Sequence, residues 1–345
     1  MKYTTLPNTD IKISQICLGT MTFGQQNTEV DGHAQMDYAF ENGINFFDTA
    51  EMYSVPAREE TYGSTEKILG TWFKKTGKRE EIILASKIAG PNPNFSYMRE
   101  KNDFSAKSIS YAFENSLKRL QTDYVDIYQL HWPERKTNFF GQRGFKVQED
   151  AWEDNIHAVL ETLDGLIKQG KINHIGLSNE TPWGIMRFLE ESKHHNLPRI
   201  KTIQNPYSLL NRTFEVGSAE VCIRENLGLL AYSPMGFGVL SGKFLSGESH
   251  PNARIKLFPQ MSRYNSDQSA EAARLYQEIA KKNGLTLTEL ALGFVRNQQF
   301  VTSTIIGATT MEQLIENIDT IKITLSDEII KEIDAVQAII PNPAP

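Results

Sequence analysis

Cysteine is scarce in this chain. Among 345 residues there are two, Cys17 and Cys222, far apart and each inside an apolar stretch, which excludes a disulfide-built scaffold and marks them as small buried hydrophobes. No apolar run approaches the length of a membrane span. The opening MKYTTLPNTDIKIS also lacks the continuous apolar segment of a secretory signal, so a cytoplasmic location is expected. An excess of positive charge is missing as well. The formal net charge is −6, and nucleic acid, whose phosphates call for clustered Lys and Arg, is not an expected partner. Histidines and carboxylates do not recur at metal-ligand spacing, His194 and His195 fall at a polar helix end, and no metal is expected. No fixed-period repeat, low-complexity tract or interdomain linker interrupts the chain, so residues 1–345 are expected to form one domain. The oligomeric state is left open.

What the chain does have is rhythm. Short runs rich in Ile, Val, Leu and Phe alternate with segments of helical period from residue 16 to about 306, the pattern of parallel strands joined by helical crossovers. Strands are predicted at 16–20, 44–48, 82–87, 125–131, 172–177, 201–205, 228–232 and 303–306. Eight parallel strands close a barrel, so the expected fold is α/β, a (β/α)8 TIM barrel. The helices agree with this count. Val30 to Asn42 stops at Gly43, and DNIHAVLETLDGLIKQG closes at Gly170. Ser105 caps a helix whose Ile109, Ala112, Phe113, Ser116, Leu117 and Leu120 form one largely apolar face. YTTLPN and DIKISQ read as an N-terminal hairpin around Pro7 and Asn8, covering the barrel floor. Additional C-terminal helices near 310–320 and 326–339 follow the last strand. Three segments break the rhythm, 50–62, 133–153 and 236–265, and all come after strands, where a barrel builds its active face.

Asp48, Tyr53, Lys87 and His131 each stand where an apolar run ends, in INFFDTAEMY, EIILASK and VDIYQLH. Together they can run a carbonyl reduction, which needs a proton donor and a group that polarises the oxygen. Tyr53 supplies a phenol that ordinarily titrates near ~10. A neighbouring Lys87 would favour the phenolate and sharpen the acid, while Asp48 would hold Lys87 charged and oriented. His131 can donate a hydrogen bond to the substrate oxygen. Taken singly, Asp48 reads equally as a cap, Tyr53 as a packing aromatic and His131 as a satisfied core histidine. A lysine at the end of IILAS is harder to dismiss. The aromatics Tyr53, Trp132, Phe139 and Phe140 suggest a pocket for aromatic or medium aliphatic aldehydes, although the Phe pair can also pack its own loop.

FDTAEMY, ASK and QLHW, in this order and at these strand ends, resemble the aldo-keto reductases, nicotinamide-dependent (β/α)8-barrel oxidoreductases. The resemblance spans essentially the whole chain and extends to LGTMTFG, HIGLSNE, IQNPYSLLNR, AYSPMGFGVLSGK and IIGATTMEQLIENI. In AEMYSVP, HWPERKTNFFG and QNPYSLLNR it is similar to the bacterial Tas-type members. The resemblance implies reduction of a small aldehyde or ketone, with Tyr53 as general acid, Lys87 and Asp48 as its supporting pair and His131 orienting the carbonyl.

It also implies a nucleotide site. Gly19, Thr20, Met21 and Asp48 would border the nicotinamide, Ser178, Asn179 and Gln204 would hold its carboxamide, and Tyr232 would stack on the ring. Ser233, Pro234, Met235, Gly236 and Gly238 would wrap the pyrophosphate with backbone amides. SPMGFGVLSGK is neither a P-loop nor a dinucleotide fingerprint, because Phe244 replaces the magnesium-holding hydroxyl and GxGxxG is not met. Lys243 and Arg254 would meet the phosphates. Gly307, Thr309, Gln313, Glu316 and Asn317 would hold the adenosine end, the last three sharing a helix face. NADPH is the expected cofactor. Many relatives carry arginine where this chain has Thr309, and Lys243 and Arg254 would then supply the charge for the extra phosphate. Two other readings stand beside this one. The chain also resembles the NADP(H)-binding β subunits of potassium channels, which implies a non-catalytic redox sensor, and Lys87 could form a Schiff base if Asp48 did not hold its charge.

Overall fold

All eight runs read as strands are strands, and they close on themselves. In the computed structural model, which describes residues 1–147, 152–245, 250–259 and 262–345, they are β3 (Ile16–Gly19), β4 (Phe46–Asp48), β5 (Ile83–Ile88), β6 (Val125–Leu130), β7 (Ile172–Ser178), β8 (Thr202–Pro206), β9 (Gly228–Tyr232) and β10 (Val301–Ile306). They pair in parallel in chain order, and β10 returns to β3 to complete the barrel. Parts of the predicted loops 133–153 and 236–265, namely 148–151, 246–249 and 260–261, lie outside the described residues.

Two strand starts shift by two residues, each for a local reason. β4 begins at Phe46 because Asn45 turns its side chain to the N-terminal hairpin, accepting from the Ser14 amide at 2.8 Å and donating to the Lys12 carbonyl at 2.9 Å. β10 begins early at Val301, where its register against β9 slips between Val301 and Ser303.

The hairpin, β1 (Tyr3–Thr5) paired antiparallel with β2 (Lys12–Ser14), plugs the floor. Its Leu6 and Ile13 are fully buried in one cluster with Cys17, Phe46, Ala85, Ile127, Leu230 and Ile305 of the barrel strands. Strand side chains alternate between the two faces, so the column that holds Phe46, Ala85 and Ile127 at this depth holds Asp48, Lys87, Gln129 and His131 two to four residues further on. A larger apolar layer fills the space between barrel and helices, where each fully buried Leu or Phe contributes roughly 1.5–3 kcal/mol. Both cysteines are free and buried.

Helix ends follow their caps. α1 (Glu29–Glu41) starts at a Thr28–Asp31 capping box and stops before Gly43, whose φ is 82°. α2 spans Ser64–Thr76, and α3 (Ala106–Leu120) is capped by Ser105, as expected. α4 (Ile156–Lys168) ends two residues before Gly170. α5 (Pro182–His195) and α6 (Ser218–Arg224) follow β7 and β8. The segment after β9 carries 3-10 turns and the short helix α7 (Arg254–Leu257). α8 (Asp267–Lys282) and α9 (Leu287–Arg296) precede β10, and α10 (Met311–Asp319) and α11 (Asp327–Ile339) are the two expected terminal helices.

Candidate active site

At the C-terminal mouth of the barrel, Lys87 Nζ, which is fully buried, lies 2.6 Å from Asp48 Oδ2 and donates to the Thr49 carbonyl at 2.8 Å. The same ammonium is 3.5 Å from the Tyr53 hydroxyl, and the His131 ring stands edge-on to Tyr53 with centroids 5.6 Å apart. The four groups brought together by sequence reasoning therefore meet in space. Asp48 Oδ1 is held from the other side by Gln204 Nε2 at 2.7 Å and Gln129 Nε2 at 3.3 Å. Gln129 was missed by the sequence reading, although its position two residues before His131 on the same strand puts both on the inner face.

Charge on this floor is settled by its neighbours. Burial pulls the Lys87 ammonium toward neutrality, but Asp48 and Tyr53 outweigh it and hold its pKa above the ordinary lysine value. A nucleophilic, neutral amine for Schiff-base chemistry is therefore opposed. Burial, with help from the Lys87 charge, drives the His131 pKa well below the usual imidazole range, so the ring is neutral. For Tyr53 the expectation must be corrected. Burial raises its pKa, Lys87 lowers it, Asp48 raises it, and the balance leaves the phenol above 10.0 rather than closer to neutral. Lys87 is committed to Asp48, 2.6 Å away, and lies farther, at 3.5 Å, from the phenol.

A cleft of 1070 Å³ opens above this floor. One wall is aromatic: Phe95, Trp132, Phe139 and Phe140 border it, with Trp132 and Phe140 edge to face at 5.8 Å and the two phenylalanines at 5.0 Å. The Phe pair thus packs on itself and lines the cleft. Trp132 Nε1 donates to the Pro91 carbonyl at 3.2 Å, and its indole fits only because residue 90 is glycine, where a Cβ would lie 2.6 Å from Trp132 Cδ1.

The residues expected at a nucleotide line the same cleft, with one exception. Gly236 points away, its missing Cβ facing Leu210 at 3.0 Å and Tyr264 at 3.2 Å, so it shapes the turn without bordering the cleft. Lys87 stays beneath the surface that Asp48 and Tyr53 present. Gly19 does border it, and a Cβ there would also strike Ile305 Cγ2 at 2.7 Å, so this glycine permits the close approach of β3 and β10. Ser178 donates to the Gln204 carbonyl at 2.8 Å, and Asn179 braces two neighbours, donating to the His131 carbonyl at 2.8 Å and accepting from the Tyr232 hydroxyl at 2.6 Å. Ser233, Gly236, Phe237 and Gly238 all have positive φ, and the turns they make are closed by the Gly236 and Gly238 amides donating to the Ser233 and Met235 carbonyls at 3.0 and 2.9 Å. Beyond them, burial lowers the Arg254 pKa to about 10, with Tyr53 acting weakly against it. Burial and Arg254 together lower that of Lys243. On α10, Gln313 Oε1 accepts from the Thr309 amide and hydroxyl at 3.0 and 3.1 Å, while Asn317 Nδ2 reaches the Gly307 carbonyl at 3.5 Å.

One grouping was hidden by linear spacing. His157 on α4 joins Glu191 and His195 on α5, with Glu191 Oε1 accepting from His157 at 2.8 Å and lying 3.1 Å from His195 Nε2. Only the Glu191–His195 spacing was visible in the sequence. The second oxygen of Glu191 is taken by Arg187 at 2.5 Å, so the cluster satisfies itself as an ion-pair network between two outer helices.

The closed parallel barrel is matched by a family comparison: the model of the Aldo/keto reductase family covers residues 15–338. The chain belongs to that family, NAD(P)-dependent oxidoreductases that act on small carbonyl compounds. It is 50% identical to Protein tas of Escherichia coli (strain K12), with both chains covered in full. It is 33% identical to Uncharacterized oxidoreductase YrpG of Bacillus subtilis (strain 168), over 97% of this chain and 96% of the relative. Aldo-keto reductase yakc of Schizosaccharomyces pombe, whose name carries NADP(+), is 28% identical over 92% of this chain and 85% of its own. Among the described residues no helix is long and apolar enough to cross a membrane.

Proposed function

We propose that the protein reduces aldehydes or ketones to alcohols with NADPH, and that residues 1–345 work as one domain. The contact set at the cleft floor carries this reading: Lys87 Nζ at 2.6 Å from Asp48 and 3.5 Å from the Tyr53 hydroxyl, with His131 neutral beside them. The residues above fit a dinucleotide, since the cleft combines carboxamide partners, a run of positive-φ backbone and two neighbouring cations. When bound, the reduced nicotinamide supplies the hydride that the carbonyl carbon accepts.

This chain's own residues do the rest. His131, uncharged, presents a ring N–H to the carbonyl oxygen and holds the carbonyl in line. Tyr53 transfers its proton to that oxygen as negative charge develops there. Lys87 stabilises the phenolate left behind, and Asp48, fixed by Gln129 and Gln204, keeps Lys87 charged. In the oxidative direction the same phenolate acts as base. Ser178, Asn179 and Gln204 would hold the carboxamide and Tyr232 would stack on the ring. Ser233, Pro234, Met235 and Gly238 would line the pyrophosphate, and Gly307, Thr309, Gln313, Glu316 and Asn317 the adenosine end. The closeness of Lys243 and Arg254 favours NADPH, because its extra phosphate relieves the repulsion between two cations.

Fluorescence titration with NADPH and NADH, followed by turnover on an aldehyde panel, tests the reading. Tighter binding of NADPH and sustained aldehyde-dependent oxidation are expected. Tight nucleotide binding without turnover on any aldehyde would support the non-catalytic sensor instead.

A further inference from the structure

Arg263 lines the cleft beside the aromatic wall. Its guanidinium carbon lies 5.8 Å from the Phe140 ring, and its Nη1 donates to the Tyr232 hydroxyl at 3.4 Å. That hydroxyl has already committed its own proton to Asn179 Oδ1 at 2.6 Å, so it meets Arg263 with a lone pair only. A guanidinium has five N–H donors in a planar fork. Here its neighbours are the phenols Tyr232 and Tyr264, the face of Phe140 and Gly141, where a Cβ would lie 3.3 Å from both the Arg263 Nε and the Pro345 oxygen, and among the described residues it forms no ion pair. Three other partly buried arginines are matched, Arg99 with Glu51 at 2.7 Å, Arg119 with Glu66 at 2.7 Å and Arg135 with Glu180 at 2.5 Å, while Arg296 is satisfied by the Thr320 and Ile323 carbonyls and the Thr320 hydroxyl. The two described carboxylates that border the cleft do not serve Arg263. Asp48 is taken by Lys87, and Glu316 lies on α10.

Burial of the half-buried Arg263 works against its charge and the Tyr232 and Tyr264 phenols outweigh it, so the guanidinium stays charged and a bound anion would supply the ion-pair partner it lacks among the described residues. Lys243 and Arg254 neighbour each other on the phosphate side of the cleft. Arg263 instead faces the wall that would receive the substrate and touches the tyrosine that would lie against the nicotinamide. Resting on the reductase reading, we propose that the preferred substrates are carbonyl compounds that also carry a carboxylate, and that Arg263 binds this carboxylate through its free N–H groups. Planar bidentate pairing of carboxylate with guanidinium is the contact best suited to that fork. The carboxylate is a handle and is unchanged by the reaction: the carbonyl carbon gains the hydride, its oxygen gains the Tyr53 proton, and the cofactor is oxidised.

The test compares matched substrates, the three formylbenzoate isomers and their methyl esters, in the wild type, Arg263→Gln and Arg263→Lys. The readout is the ratio of kcat/KM for acid over ester. For the best isomer we expect a wild-type ratio of ~10 or more, carried mainly in KM because the contact is the same in ground and transition states, and falling as salt is raised. In Arg263→Gln the ratio should collapse toward one, and Arg263→Lys should restore part of it. A wild-type ratio near one for every isomer, a ratio insensitive to salt, or a ratio unchanged in Arg263→Gln would overturn the assignment. Should Arg263→Gln not fold, the wild-type ratio and its salt dependence decide. Reduction of the esters with no preference for the acids rejects the carboxylate handle and leaves the reductase standing. No reduction of either class rejects both.

Discussion

At the floor of the cleft Lys87 is answered by Asp48 at 2.6 Å and the Thr49 carbonyl at 2.8 Å, whereas at the rim Arg254 lies over the Phe237 ring at 5.3 Å and Arg263 reaches only phenols and a ring face. Floor charges are closed within the protein, so their geometry exists before any ligand arrives, which is what proton transfer requires. Arg254 and Arg263 form no ion pair among the described residues, which on the proposed reading leaves them for a bound anion. Substitutions in the two regions should therefore fail differently, the floor losing chemistry and stability and the rim losing affinity.

The sharpest break is Tyr53→Phe. Aldehyde reduction should fall by roughly 10²–10⁴-fold while NADPH titrates as in the wild type, because the phenol acts on the proton and not on the nucleotide. Wild-type rates in this variant would remove the proposed acid. Lys87→Met comes next. It strands Asp48 as an uncompensated buried charge, so unfolding in urea should show a loss of about 3–5 kcal/mol alongside lost activity. A variant as stable as the wild type would mean the floor is not closed as described. On the rim, Arg254→Gln should weaken NADPH by about 10–100-fold and NADH less, with little change in unfolding midpoint. A large destabilisation there would erase the contrast between the regions.

The pH dependence sharpens the comparison further. Reduction needs the phenol protonated, and burial, against the pull of the Lys87 charge, holds the Tyr53 pKa above the ordinary phenol value, so kcat/KM for reduction should decline only at higher pH than a free phenol would give. His131, held neutral by burial and the Lys87 charge, should add no limb in the ordinary histidine range. The smallest effect is expected at the outer-helix network. Burial pushes the Glu191 pKa up, but hydrogen bonds from Arg187 and His157 outweigh it and hold it below 4.5. A depressed carboxyl pKa stabilises the fold above the unfolded value and loses that contribution as pH falls through the folded one. In this solvent-screened site Glu191→Gln should cost under about 1 kcal/mol, and only above the acid range.

The fold was readable because its signals are local. Eight apolar runs, the Ser105 cap and the stop at Gly43 each depend on a few adjacent residues, and the structure moves strand starts by more than one residue only where Asn45 and the Val301 register slip intervene. Asp48, Tyr53, Lys87 and His131 were legible for the same reason, as strand-end residues of unusual chemistry. Pairings between distant segments were not. Nothing near Gln129 announces that it braces Asp48, and His157 gives no sign of Glu191 on the next helix. The sign of the Tyr53 shift was also hidden, since it depends on how completely the phenol is buried and how fully Asp48 occupies Lys87.

The bare backbone at Gly90 has a reach beyond its own position. The indole of Trp132 leans into the space that any side chain there would fill, so the breadth of the substrate chamber is governed from outside it. Even one methyl group at that point would tilt the indole and, through Phe140, disturb the lip above it. On the proposed reading, selectivity is thus set in part by a residue that does not itself border the cleft.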